Sequence, residues 1–96
     1  MNIKQEVADY ITAKTAQGKW TTPPLQDALC FLVTEVDEAL EAYMRTKPEY
    51  VRNDPTKKYD LGKELADVVL MAFVCAQVGG FDIETELAIT LSTTRR

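Results

Sequence analysis

The 96-residue sequence predicts an all-α fold, a four-helix unit that assembles into a homo-oligomeric helical bundle, on three observations. Apolar residues recur at spacings of three and four through four separate segments. Glycines and prolines (Gly18, Pro23, Pro24, Pro48, Gly79, Gly80) stand between those segments, where they end helices rather than interrupt them. The stretch from Val68 to Val78 is apolar around the whole helical circumference and carries no charge. It falls short of the ~20 residues that span a bilayer, so it needs protein on every side, which four helices of one chain do not readily supply.

The first helix follows from Ile3, Val7, Tyr10, Ile11 and Lys14 and ends near Gln17-Gly18, with Gly18 as the residue just past the end. Lys19-Trp20-Thr21-Thr22-Pro23-Pro24 cannot continue it. Thr22 is a suitable N-cap with Pro23 in the first turn, so a second helix runs from about Pro24 to Thr46. Arg45 and Lys47 suit its negative end, and Pro48 closes it. The third helix has two starts open to it: Asp54 capping Pro55, or Asp60 as a later cap. Gly79-Gly80 ends it, and Asp82 caps a last helix through Ile83, Leu87 and Leu91.

Two of these helices carry acids three residues apart: Glu35 with Glu38, and Glu64 with Asp67. Such pairs share a helix face, with Cβ atoms ~5–6 Å apart. A single pair of this kind is more often solvated surface charge. The angular position argues otherwise. With Glu35 at zero and 100° per residue, Leu29, Leu32, Val36, Ala39, Leu40 and Tyr43 fall within about 40–140°, and Glu38 near 300°. Leu61, Leu65, Val68, Val69 and Ala72 occupy the same arc relative to Glu64, with Asp67 again near 300°. Both helices thus set their acids alike beside the apolar stripe, as facing helices with a shared metal cleft require. Clustered carboxylates repel and lose hydration unless a cation neutralises them. All-oxygen ligation favours Mg²⁺, with Mn²⁺ as the alternative, and the absence of histidine, with only two well-separated cysteines, argues against a zinc site.

Composition bounds the rest. Hydrophobic content of 46% and charged content of 27% are those of a globular protein, one domain over residues 1–96. A net charge of −4 argues against a general nucleic-acid binder, which needs a basic face. The N-terminal residues are charged and lack the apolar run of a signal peptide, so no membrane role and a cytoplasmic location are expected. Cys30 and Cys75 lie in apolar helical segments and are expected as reduced, buried thiols.

Glu35-x-x-Glu38, 25 intervening residues, then Glu64-x-x-Asp67 resembles the ExxE…ExxD signature of the MazG-like nucleoside triphosphate pyrophosphohydrolases, an all-α group. The resemblance runs from about Gly18 to Asp82. It implies that Glu35, Glu38, Glu64 and Asp67 bind Mg²⁺, and that a nucleoside triphosphate is cut between its α and β phosphates to give a monophosphate and pyrophosphate. It also implies a homodimer or a homotetramer built as a dimer of dimers. The chain departs from many relatives where they carry a further acid before the first motif glutamate, here Thr34, and Lys and Asn on the final helix, here Thr90 and Thr94.

Candidate substrate contacts are Trp20, the lone tryptophan and an aromatic able to stack on a base, with neighbouring Lys19, and Lys57 and Lys58 of the cationic stretch between the second and third helices. Two alternatives stay open: a phosphoribosyl-ATP or other pyrophosphohydrolase using the same metal site, and a non-catalytic helical oligomerisation module whose acids are surface charge.

Overall fold

The computed structural model describes residues 1–18, 25–47 and 60–94. Four helices fill them: α1 (Ile3–Ala16), α2 (Leu25–Met44), α3 (Leu61–Gly79) and α4 (Ile83–Thr94). The caps explain where each begins and ends. Asn2 caps α1 by accepting from the Gln5 backbone N–H at 3.1 Å, a cap the apolar pattern did not reveal. Gly18 closes α1 with φ +70°, a left-handed conformation that costs glycine little and other residues more. Thr22 and Pro23, the expected start of α2, lie outside the described residues. α2 stops at Met44, two residues before the expected Thr46, and the N–H groups of Arg45 and Thr46 continue to bond back to Glu41 and Tyr43 in a tightened last turn.

Of the two starts open to α3, the structure takes the later. Asp60 accepts from the Lys63 N–H at 3.0 Å and Leu61 is the first helical residue; Asp54 lies outside the described residues. At the other end Gly80 adopts φ +75°, with Phe81 N–H donating to Ala76 O and Gly80 N–H to Gln77 O, the paired bonds of a Schellman turn. A Cβ on Gly79 would stand 2.6 Å from the Phe81 ring, so the close fold-back of that ring requires glycine there. Asp82 then caps α4 through the Thr85 N–H, and α4 departs from α3 at a bend of 116°.

α2 and α3 form the central pair. Leu25 and Leu29 meet Ala72, Cys75 and Ala76, whereas Glu35 lies against Glu64 and Asp67, so the two run antiparallel. The core cluster is Val7, Ala28, Met71, Val74 and Cys75, with Tyr10, Ile11, Leu25, Leu32 and Phe73 among those packed on it. α1 lies over α3 and is moored by a Gln77 side chain donating to Lys4 O at 2.9 Å and by a Lys4–Asp82 ion pair at 3.3 Å.

The apolar stripe of α2 is only partly covered. Ala28, Ala39 and Ala42 are buried, small side chains that let helices approach closely, while Leu29, Val36, Leu40 and Tyr43 of the expected core stripe are exposed. On α3 Met71, Val74, Cys75 and Ala76 are buried, yet Val69 is 51% exposed despite lying in the run expected to be enclosed on every side. The reason is geometric: α2 is covered mainly by α3, and α1 and α2 together leave one side of α3 open. Cys30, expected buried, is exposed on α2, and only Cys75 of α3 fits the expectation; both thiols are free. Burial pushes the Cys75 thiol pKa up. α4 leaves Leu87, Ile89 and Leu91 exposed. No single described helix is long and apolar enough to cross a membrane.

Candidate metal centre

The antiparallel register of α2 and α3 brings acids from opposite helices together. Glu35 of α2 and Glu64 and Asp67 of α3 each offer a carboxylate oxygen, and the three oxygens lie within 4.8 Å of one another. All three residues are partly buried. Glu64 and Asp67 share a face because they are three residues apart on one helix, and Glu35 meets them because the small side chains of α2 allow the helices to close. Glu38, one turn further along α2, is exposed and stands outside that three-oxygen group, within hydrogen-bonding reach of the Glu35 carboxyl.

The electrostatics of the group call for a cation. Burial, then the charges of Glu38 and Asp67, the Glu38 hydrogen bond and the charge of Glu64 push the Glu35 pKa above its ordinary value of 4.5. Glu64 Oε2 is buried with no hydrogen-bond partner among the described residues. An unpaired buried acceptor costs ~1–3 kcal/mol, more when charged, and a hard divalent ion ligated by oxygen removes that cost. The donor set therefore fits a divalent metal held by Glu35, Glu64 and Asp67, with Glu38 adjacent.

Other sequence-assigned residues fall elsewhere. Trp20, Lys19, Lys57 and Lys58 lie outside the described residues. Glu41, one turn beyond Glu38 on α2, is engaged by Arg45, whose Nε donates to it at 3.0 Å. Thr34, which stands where many relatives have an acid, donates its hydroxyl to Cys30 O within α2, and Thr90 donates to Glu86 O within α4.

The family model of the MazG nucleotide pyrophosphohydrolase domain matches residues 25–93, from the first residue of α2 to the last turn of α4. The chain belongs to the MazG family. No curated protein and no solved structure matches it. Membership supports nucleotide pyrophosphohydrolase activity as the class of reaction, a hydrolase, and the matched span contains all four signature acids of this MazG domain. The match starts later than the resemblance read from the motifs and continues past Asp82 through α4, so the exposed last helix is part of the family unit.

Two features of this MazG site escaped the reading of motifs. Arg45 holds Glu41, and Lys63 places its ammonium 3.2 Å from Asp67 Oδ2. Both are i,i+4 pairs, so the spacing was visible, but nothing in the sequence said which acids would be engaged by cations.

Proposed function

We propose that this MazG domain hydrolyses nucleoside and deoxynucleoside triphosphates between the α and β phosphates, releasing the monophosphate and pyrophosphate, with Mg²⁺ as its working ion and Mn²⁺ as a substitute. The observation that carries the reading is the buried Glu64 oxygen, without a hydrogen-bond partner among the described residues, inside a group of three carboxylates contributed by two helices. Bound there, the ion would neutralise the polyphosphate and lower the pKa of water. The chain's own part is positioning. Glu35, Glu64 and Asp67 hold the ion site at fixed spacing, and Glu35 gives up any proton it carries to take part. Glu38, exposed beside Glu35, orients the attacking water by accepting a hydrogen bond from it. Trp20 stacks on the base, and Lys19, Lys57 and Lys58 meet the phosphates. Such chemistry is charge stabilisation and alignment without a covalent intermediate.

The same reading includes a second copy of the chain. Leu29, Val36, Leu40, Leu65 and Val69 are exposed along one flank of α2 and α3, and α4 adds Leu87, Ile89 and Leu91. Burying such exposed apolar side chains is the ordinary driving force of symmetric assembly, here a homodimer or a dimer of dimers. The reading places the protein in the cytoplasm, with removal of unwanted nucleotides from the pool as its role.

The test is a panel of ribo- and deoxyribonucleoside triphosphates together with phosphoribosyl-ATP, run with Mg²⁺, with Mn²⁺ and with chelator. Products are scored for pyrophosphate against orthophosphate. Metal-dependent pyrophosphate from a triphosphate is the expected result; orthophosphate alone, or no turnover with any substrate or ion, refutes it.

A further inference from the structure

Lys63 sits in the first turn of α3, directly before Glu64, with its ammonium 3.2 Å from Asp67 Oδ2 and its side chain 68% exposed. Local helix energetics does not favour that placement. A cation in the first turn opposes the helix dipole, and lysine placed N-terminal to an acid at i,i+4 is the weaker order of such a pair. The carboxylate group supplies the missing reason: Asp67 is one of three acids whose oxygens crowd within 4.8 Å, and Glu64 beside it holds a buried oxygen without a partner among the described residues.

We propose that Lys63 is an exchanging counter-ion. In the metal-free protein it neutralises Asp67. When a divalent ion takes the Asp67 carboxylate, the ammonium swings to the non-bridging oxygens of the bound polyphosphate. The inference rests on the metal-dependent triphosphate reading. A flexible four-carbon stem that is already largely in water makes the swing inexpensive. Charge balance requires a cation there, because three carboxylates already exceed the charge of one divalent ion and a polyphosphate adds more. Lys63 is thus both a competitor of the metal and a ligand of the substrate, two roles with opposite signatures.

The experiment compares wild type, Lys63→Gln and Lys63→Arg in two measurements. Calorimetric titration with Mn²⁺ alone, without nucleotide, reads the competition. Losing an exposed pair with Asp67 is expected to tighten Mn²⁺ binding by roughly 2- to 5-fold in Lys63→Gln. Steady-state kinetics reads the second role: KM for triphosphate is expected to rise by roughly 5- to 20-fold in Lys63→Gln, the loss falling mainly on KM, with Lys63→Arg recovering much of it. Unchanged Mn²⁺ affinity and KM in Lys63→Gln, in a wild type that binds metal, would show a mere surface charge and overturn the role. Weaker Mn²⁺ binding in that variant would overturn it too, since the lysine would then be ordering Asp67 instead of vacating it. A wild type that binds no Mn²⁺ overturns the metal reading together with this role, and the titration separates that case from failure of the role alone.

Discussion

Replacing Glu64 with glutamine should reverse the order of stability between the metal-free and metal-loaded protein. In wild type Glu64 Oε2 is buried without a partner among the described residues, and two other carboxylates offer oxygens within 4.8 Å. The amide of Glu64→Gln removes a charge from the group and supplies an N–H donor to Glu35 or Asp67, so about 1–2 kcal/mol of the ~1–3 kcal/mol penalty should return to the metal-free fold. For a domain of this size that is an increase in Tm of roughly 4–16 °C in chelator. With Mn²⁺ at a hundred times its wild-type Kd, wild type gains ~2.7 kcal/mol. If the variant binds about a hundredfold more weakly, its gain is only ~0.4 kcal/mol, and wild type overtakes it by roughly 0.3–1.3 kcal/mol. The assay is a thermal scan at one protein concentration, with chelator and with Mn²⁺, beside pyrophosphate release, which should fall by at least ~100-fold. Glu64→Gln melting below wild type in chelator, or equal Mn²⁺ shifts in both proteins, would refute the argument.

Further expectations concern pH, the base and the interface. The Glu35 pKa is raised, so its protonated form is favoured in the fold. Metal-free stability should therefore gain a contribution as pH falls through the raised folded value toward the ordinary 4.5, and lose it as pH rises; denaturation midpoints in chelator from neutral to mildly acid pH check this, and Glu35→Gln should flatten the slope. Metal affinity should fall over the same interval, because the ion needs the carboxylate. Base stacking on an aromatic is worth ~1–3 kcal/mol, so Trp20→Ala should raise KM by roughly 5- to 150-fold with kcat little changed, and saturating nucleotide should quench wild-type fluorescence far more than pyrophosphate does. A loss of stability with no change in KM would make Trp20 a packing residue. Leu40, 58% exposed on the open flank of α2, should tolerate aspartate within a single chain, yet Leu40→Asp should halve the mass seen by light scattering; a wild type that is monomeric at micromolar concentration removes the proposed assembly.

The helices were legible because their ends are written in local chemistry. Gly18, Asp60, Asp82 and the Gly79-Gly80 pair each do at a terminus what short-range geometry demands, without reference to the rest of the chain. The acids were legible for a related reason: the 3.6-residue period fixes their angle to the apolar stripe. Periodicity does not say how much of a stripe one neighbour covers, and so Leu40 and Val69 read as core yet lie open. It is equally silent on which side chains pair across turns. Arg45 read only as a cation suited to the negative end of its helix and Lys63 carried no assignment, and their attachment to Glu41 and Asp67 depends on rotamers that spacing alone does not select. Asn2 was missed because it precedes the first apolar residue, with no stripe on its own side to draw attention to it.

The turn after α3 separates two inheritances within one helix. Glu64 and Asp67 occupy its opening turns, while Gly79 and the Phe81 ring folded over it govern the direction in which α4 leaves. Asp67 and Gly79 are about 18 Å apart along the axis at ~1.5 Å per residue, so a substitution at one end has little mechanical purchase on the other. A descendant carrying alanine at position 79 would bring a Cβ to 2.6 Å from the ring, so the largely exposed Phe81 side chain or the corner itself would have to yield, while the carboxylates stay where they stand. A change at this corner thus bears on the proposed assembly surface of α4 and leaves the carboxylate group at the far end alone.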